Sequence, residues 1–147
     1  MTKSQFVYVT YIRTTPKKLW AALTDPKFIR QYWFGVTVET DWKAGSPWRL
    51  LFADGSLADA GEIVQVKPMR RLVIKWRNEW KRTLKAEGWS RCTFELEPQG
   101  KLVKLTVHHE MARARSKFIE AVSGGWPMIL SNLKSLLETG RVLMKDH

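Results

Sequence analysis

The 147-residue sequence has one cysteine, Cys92, three histidines and no apolar run near the ~20 residues that cross a bilayer. A single thiol excludes an intramolecular disulfide and any thiolate cluster for zinc or iron–sulfur chemistry, so a reducing, cytoplasmic setting is expected. The opening M-T-K-S-Q-F-V-Y-V-T-Y-I-R is broken by polar residues and has no small-residue cleavage site, so it reads as a strand rather than a secretion signal. No phosphate-cradling glycine loop, serine–histidine–acid signature or metal-ligand spacing occurs, and no catalytic residue, metal or cofactor is assigned. Repeats, low-complexity tracts and linkers are also missing, and residues 1–147 read as a single domain.

Acidic residues are scarce as well: 14 stand against 25 lysines and arginines, for a formal charge of +11. Nine of the basic residues (Lys67, Arg70, Arg71, Lys75, Arg77, Lys81, Arg82, Lys85 and Arg91) fall between positions 67 and 91, against Glu79 and Glu87. Trp80 and Trp89 lie among them, the ingredients of phosphate contact and base stacking. The stretch carries no nucleic-acid-binding motif, so a solvated basic face is the preferred reading over a nucleic-acid surface.

What the sequence has is alternation. Phe6, Tyr8, Thr10 and Ile12 alternate with Val7, Val9 and Tyr11 in a first strand. Thr15-Pro16 opens a short helix with Leu19, Trp20 and Leu23 on one face, and Asp25-Pro26 opens a second, ending near Trp33-Phe34-Gly35. From Val36 to Glu110 short strands follow one another. Trp48, Leu50 and Phe52 share a face before the Asp54-Gly55 turn, and the returning strand runs from Leu57 to Val66, with Gly61 a candidate bulge. Leu72, Ile74 and Trp76 alternate with polar neighbours, as do Cys92, Phe94 and Leu96, and then Val103, Leu105, Val107 and His109. Between them, Asn78 and Gly88 could cap a short helical insertion with Trp80 and Leu84 on one face, or the segment could form an extended hairpin. A sheet with one apolar face needs a cover, and the stripe of Trp126, Ile129, Leu130, Leu133, Leu136 and Leu137 supplies it, with Asn132 on the opposite face. Gly124 and Gly125 are then the approach to this helix and Pro127 its first turn.

The segments T-P-K-K-L-W-A-A-L-T-D-P, W-K-A-G-S-P-W-R-L, G-E-I-V-Q-V-K-P-M-R-R-L-V-I-K-W and G-G-W-P-M-I-L-S-N-L-K-S-L-L-E-T-G, in this order, resemble the SRPBCC superfamily. The branch they are most similar to is the one named after homologues of the activator of the ninety-kilodalton heat-shock protein's ATPase. The resemblance implies an α+β helix-grip fold: a curved antiparallel sheet wrapped around a long C-terminal helix, with two short helices after the first strand. It further implies a hydrophobic cavity between sheet and helix, of the kind that holds lipids, hormones or polyketides. A cavity enzyme of cyclase or hydrolase type and a chaperone-ATPase activator are the alternatives it leaves.

Trp33, Trp48, Trp76, His109, Trp126 and Leu130 are the candidate ligand-binding residues. The rings offer contact area, and His109, on the inward set of its strand, offers a polar anchor. His108 points the other way, so the two histidines cannot share a metal. Asp59 and Glu62 are weaker candidates at the cavity mouth, read first as solvated acids. The expected partner is a small hydrophobic or amphipathic molecule; membrane insertion is not expected, and a homodimer is a candidate assembly.

Overall fold

The computed structural model describes residues 2–145. Strand β1 (Ser4–Ile12) is followed by helices α1 (Pro16–Thr24) and α2 (Pro26–Tyr32), then by β2 (Thr37–Glu39), β3 (Pro47–Leu51), β4 (Leu57–Lys67) and β5 (Arg71–Asn78). A short helix α3 (Arg82–Lys85) precedes β6 (Ser90–Gln99) and β7 (Leu102–Met111), and α4 (Lys117–Thr139) closes the fold. All strand pairs are antiparallel, in the order β1-β7-β6-β5-β4-β3-β2. This is the helix-grip α+β architecture, with α4 against the apolar face of a seven-stranded sheet.

The alternation that identifies the strands follows from one-sided burial. Leu72, Ile74 and Trp76 are buried on β5, and Val103, Leu105, Val107 and His109 on β7, while Lys104, Thr106, His108 and Glu110 between them stay partly exposed. At the turns, Thr15 Oγ1 accepts from Lys18 N at 3.2 Å and Asp25 Oδ1 from Lys27 N at 2.9 Å, so these two side chains fix where α1 and α2 begin.

Several expectations need correction. The β4 irregularities sit between Ile63 and Gln65 and opposite Leu50/Leu51, not at Gly61. Gly61 serves close approach instead: a Cβ there would stand 1.7 Å from the carbonyl oxygen of Lys75, so only glycine lets β4 lie against β5 at this point. Phe52 falls beyond the end of β3. The insertion is helical only over Arg82–Lys85, with no side chain capping its start; Asn78 Oδ1 accepts from Lys81 N at 2.9 Å just ahead of it, and Gly88 turns the chain at φ +94° after the C-cap Ala86.

The largest correction concerns α4. It starts at Lys117, so Gly124, Gly125 and Pro127 lie inside the helix rather than at its entrance. Its start is set by Ser116, whose Oγ accepts from Ile119 N at 3.0 Å, and by Glu87, which reaches in from the insertion. The Glu87 carboxylate accepts from Lys117 N at 2.9 Å, Phe118 N at 3.1 Å and Ser116 Oγ at 2.6 Å. Two orphan N–H donors of the helix end, and the hydroxyl of the capping serine, are thereby satisfied from a distant loop. Asn132 is also on the buried side, not the solvent side. Its Oδ1 accepts from Leu143 N and Met144 N at 3.0 and 2.8 Å, and its Nδ2 donates to Met144 O and Tyr32 O at 2.7 and 3.2 Å. The chain folds back after α4, and Asn132 is the clasp.

No helix among the described residues is long and apolar enough to cross a membrane.

Candidate functional site

Between α4 and the β3–β5 side of the sheet lies a cavity of about 280 Å³. Its walls come from every layer: Trp33, Phe34 and Val36 after α2, Leu50 and Phe52 from the β3 region, Trp76 from β5, Trp80 and Leu84 from the insertion, and Phe118, Val122, Trp126 and Ile129 from α4. Gly125 is part of this wall, and a Cβ built on it would meet nothing within 4 Å. A glycine that costs about 1 kcal/mol of helix propensity therefore leaves space facing the cavity. Pro127 weakens the same stretch, because it has no N–H to give the carbonyl of Ser123.

A second space, of about 20 Å³, is bounded by Trp33, Trp48, Trp76, Trp126 and Leu130 and has room for about one water molecule. Here the tryptophans close on one another. Trp48 and Trp76 lie 4.4 Å apart between centroids, Trp33 and Trp126 5.2 Å, and Trp76 and Trp126 5.8 Å at an interplanar angle of 74°.

The sequence-derived candidates thus separate into three groups. Trp33, Trp76 and Trp126 border both spaces. Trp48 and Leu130 border only the small one. His109 borders neither; it is fully buried in a hydrogen-bond relay. The Trp126 indole N–H donates to His109 Nδ1 at 3.2 Å, which places the imidazole proton on Nε2. Nε2 then donates to Ser90 Oγ at 2.9 Å, and Ser90 Oγ donates to Trp76 O at 2.8 Å. Burial first, and the neighbouring His108 second, hold the His109 pKa down to about 3, so the ring is neutral. With both nitrogens engaged, His109 fixes Trp126 in the cavity wall.

The polar groups of the larger cavity are Asp59 and Asn78, paired across β4 and β5. Asn78 Oδ1 already serves Lys81 N, so its amide NH₂ is the group it has left to offer. Asp59 is buried, and among the described residues neither its Oδ1 nor the buried Nε1 of Trp76 makes a hydrogen bond of normal geometry, although the two groups lie close enough for the Trp76 N–H to act on the carboxylate. Burial pushes the Asp59 carboxyl up to about 7; the nearby Trp76 N–H opposes the rise and the negative charge of Glu79 adds to it. Glu79 itself is raised by burial but carried below the usual range by Arg77 and Lys85, at 2.5 and 3.2 Å. Glu62 is exposed, one residue out of phase with the inward set of Asp59, Gly61 and Ile63. Strand parity was the available signal for Asp59, since it shares the phase of Ile63. The lining from Phe34, Trp80 and Phe118 had no such signal, because those residues sit in a loop, an insertion and the unexpected first turns of α4.

The basic segment ends on the outer face. Lys75 Nζ and the Arg77 guanidinium lie 4.8 and 4.4 Å from the Trp89 ring centroid, a cation–π cluster on the side of the sheet away from α4. Glu110 is on that face too, bonded to Lys3 at 2.7 Å, so it forms no dyad with His109.

No curated protein matches the chain. Among solved structures, it resembles protein MLL2253 from Mesorhizobium loti with a TM-score of 0.79 and 23% identity, covering 92% of this chain and 97% of that one. The Aha1 dimer from Colwellia psychrerythraea gives 0.75 and 17%, covering 93% and 98%. PFC0360w, an HSP90 activator from Plasmodium falciparum, gives 0.74 and 24%, covering 90% and 95%. These identities carry the fold alone. The family model for Activator of Hsp90 ATPase homolog 1-like protein matches residues 13–138, nearly the whole folded span. The chain is accordingly a member of the Activator of Hsp90 ATPase homolog 1-like family, within the SRPBCC helix-grip superfamily.

Proposed function

We propose that the protein binds a small hydrophobic or amphipathic molecule in the cavity between α4 and the β3–β5 side of the sheet. The observation that carries this reading is the cavity itself: about 280 Å³, walled by aromatic and aliphatic side chains, with two polar residues on one wall. Close packing is the rule in a domain interior, and a space of this size lined by Trp33, Trp76 and Trp126 has the features of a ligand site. Gly125 supports the same reading, since a larger side chain would fill the space and improve the helix at once.

The test is tryptophan emission during titration with naphthalene-sized aromatic probes, in the natural protein and in Gly125→Phe. Saturable quenching in the natural protein, lost in a Gly125→Phe variant that keeps its circular dichroism and melting temperature, is the expected result. Absence of saturable quenching with every probe, or equal quenching in Gly125→Phe, would refute it.

The family description also raises activation of a chaperone ATPase, the activity named for the Plasmodium falciparum relative. That reading predicts stimulated ATP hydrolysis when the protein is mixed with the chaperone, and it is retired by an unchanged rate.

A further inference from the structure

The mouth of the larger cavity is marked by the lining residues that reach solvent. Phe52, Trp80 and Ala121 are exposed, and the other described residues of the wall are buried or half-buried. Phe52 is 36% and Trp80 59% exposed, and such a pair of wet aromatic rings asks for a reason. Their centroids stand 5.6 Å apart at an interplanar angle of 78°, an edge-to-face contact that joins the β3–β4 turn to the insertion.

The insertion is tied to itself rather than to the sheet. Glu79 N donates to Ala58 O of β4 at 2.8 Å, and strand pairing resumes only at Ser90. Between them the backbone bonds close locally: Leu84 N and Lys85 N donate to Lys81 O, Ala86 N to Arg82 O, Glu87 N to Leu84 O and Gly88 N to Lys85 O. Outward, the segment holds on through Leu84, its one buried side chain, through the Trp80 ring on Phe52, and through Glu87 at the start of α4. A piece of chain with a self-contained backbone and little buried apolar surface opens at low cost without disturbing the sheet.

Resting on the ligand-binding reading above, we propose that Trp80–Ala86 is the gate of the cavity, swinging between anchors at Glu79 and Glu87, with the Phe52–Trp80 contact as its catch. Trp80 and Leu84 both belong to the cavity wall, so moving this one segment opens a side rather than a point. Phe52 stays behind on a turn closed by its own bonds, Phe52 N to Ser56 O at 2.8 Å and Gly55 N to Phe52 O at 2.9 Å. One ring is fixed and the other travels, so parting them sets the rate at which a ligand enters and leaves.

The experiment follows tryptophan emission in stopped flow, on mixing the full chain with 2-acetylnaphthalene and on diluting the complex, in the natural protein, Phe52→Ala and Trp80→Ala. Both rings are exposed, so both variants should keep the circular dichroism of the natural protein. Loss of the edge-to-face contact predicts association and dissociation that are both about three- to tenfold faster. A ring that merely touches the probe predicts faster dissociation with unchanged association; that result in either variant would overturn the gate and leave the cavity reading standing. Hydrogen exchange supplies a second measurement: the amides of residues 80–88 should exchange faster than those of β5 and β6 and slow down when the probe binds. Protection of that segment equal to the flanking strands would also overturn the gate. Absence of saturable quenching in the natural protein would overturn the cavity reading and the gate together.

Discussion

Asp59 and His109 occupy the same buried layer with opposite consequences for stability. Asp59 has a folded pKa of about 7, above the ordinary value of about 3.9, so the folded state holds the extra proton between those limits. Its contribution is fully present below pH 4 and is lost as the pH rises through 7, with an upper bound on the order of 4 kcal/mol. Asp59→Asn should accordingly leave stability near pH 4 little changed and raise it at pH 8, as read from urea midpoints at the two pH values. His109 runs the other way. Its pKa of about 3 lies below the free value of about 6.5, so the stability it gives is complete above pH 6.5 and is lost as the pH falls toward 3. Removing the ring strands the Trp126 N–H, and His109→Ala should cost about 2–4 kcal/mol at pH 7 in urea unfolding. A loss below 0.5 kcal/mol would contradict the relay.

Among the elements, α4 depends most on partners distant in the chain. Gly124, Gly125 and Pro127 argue locally for a helix start, yet the helix runs straight through them. Tertiary contacts decide the matter: Phe118 and Ile119 are buried ahead of the weak stretch, and Glu87 and Ser116 cap it. Glu87→Ala removes these cap bonds and should cost about 1–2 kcal/mol at neutral pH. Burial raises the Glu87 carboxyl, but bonds from Ser116, Lys117 and Phe118 and the charge of Arg113 outweigh it and hold the pKa below the usual range. The stabilisation is therefore present above that range and lost as the pH falls through the lowered pKa, so the natural protein and the variant should converge in acid. The turn around Gly125, with its hydrogen-bond ladder broken at Pro127, should exchange its amide hydrogens faster than the segment from Ile129 to Leu133. Mass spectrometry of peptides from each half reads this directly, and uniform protection along α4 would count against it.

Across the whole molecule, the sheet was the legible part. Apart from the buried outer pair Val73 and Thr93, the strands keep one drier and one wetter face, so period-two alternation showed which of Leu72, Ile74 and Trp76 or Lys75 and Arg77 turn inward. The cavity was legible only in part. Trp33, Trp76 and Trp126 announce themselves as large rings on inward positions, but whether rings fill a space or border it depends on angles of a few tens of degrees between side chains far apart in sequence. Asp59 was read as solvated because an aspartate is rarely buried unpaired, and that general tendency fails at this position. Asn132 was placed outside because its bonding partners, Leu143 and Met144, reach it only through a return of the chain that no local pattern encodes.

The central claim is that a ligand enters between α4 and the β3–β5 side of the sheet. Its most direct test is nuclear Overhauser contact between bound 2-acetylnaphthalene and the methyl groups of the isotope-labelled protein. The cavity predicts contacts to Val122, Met128 and Ile129, and none to Val7 or Val9 on the outer face of the sheet. Contacts confined to the outer face, or no contacts at saturating probe, would contradict it.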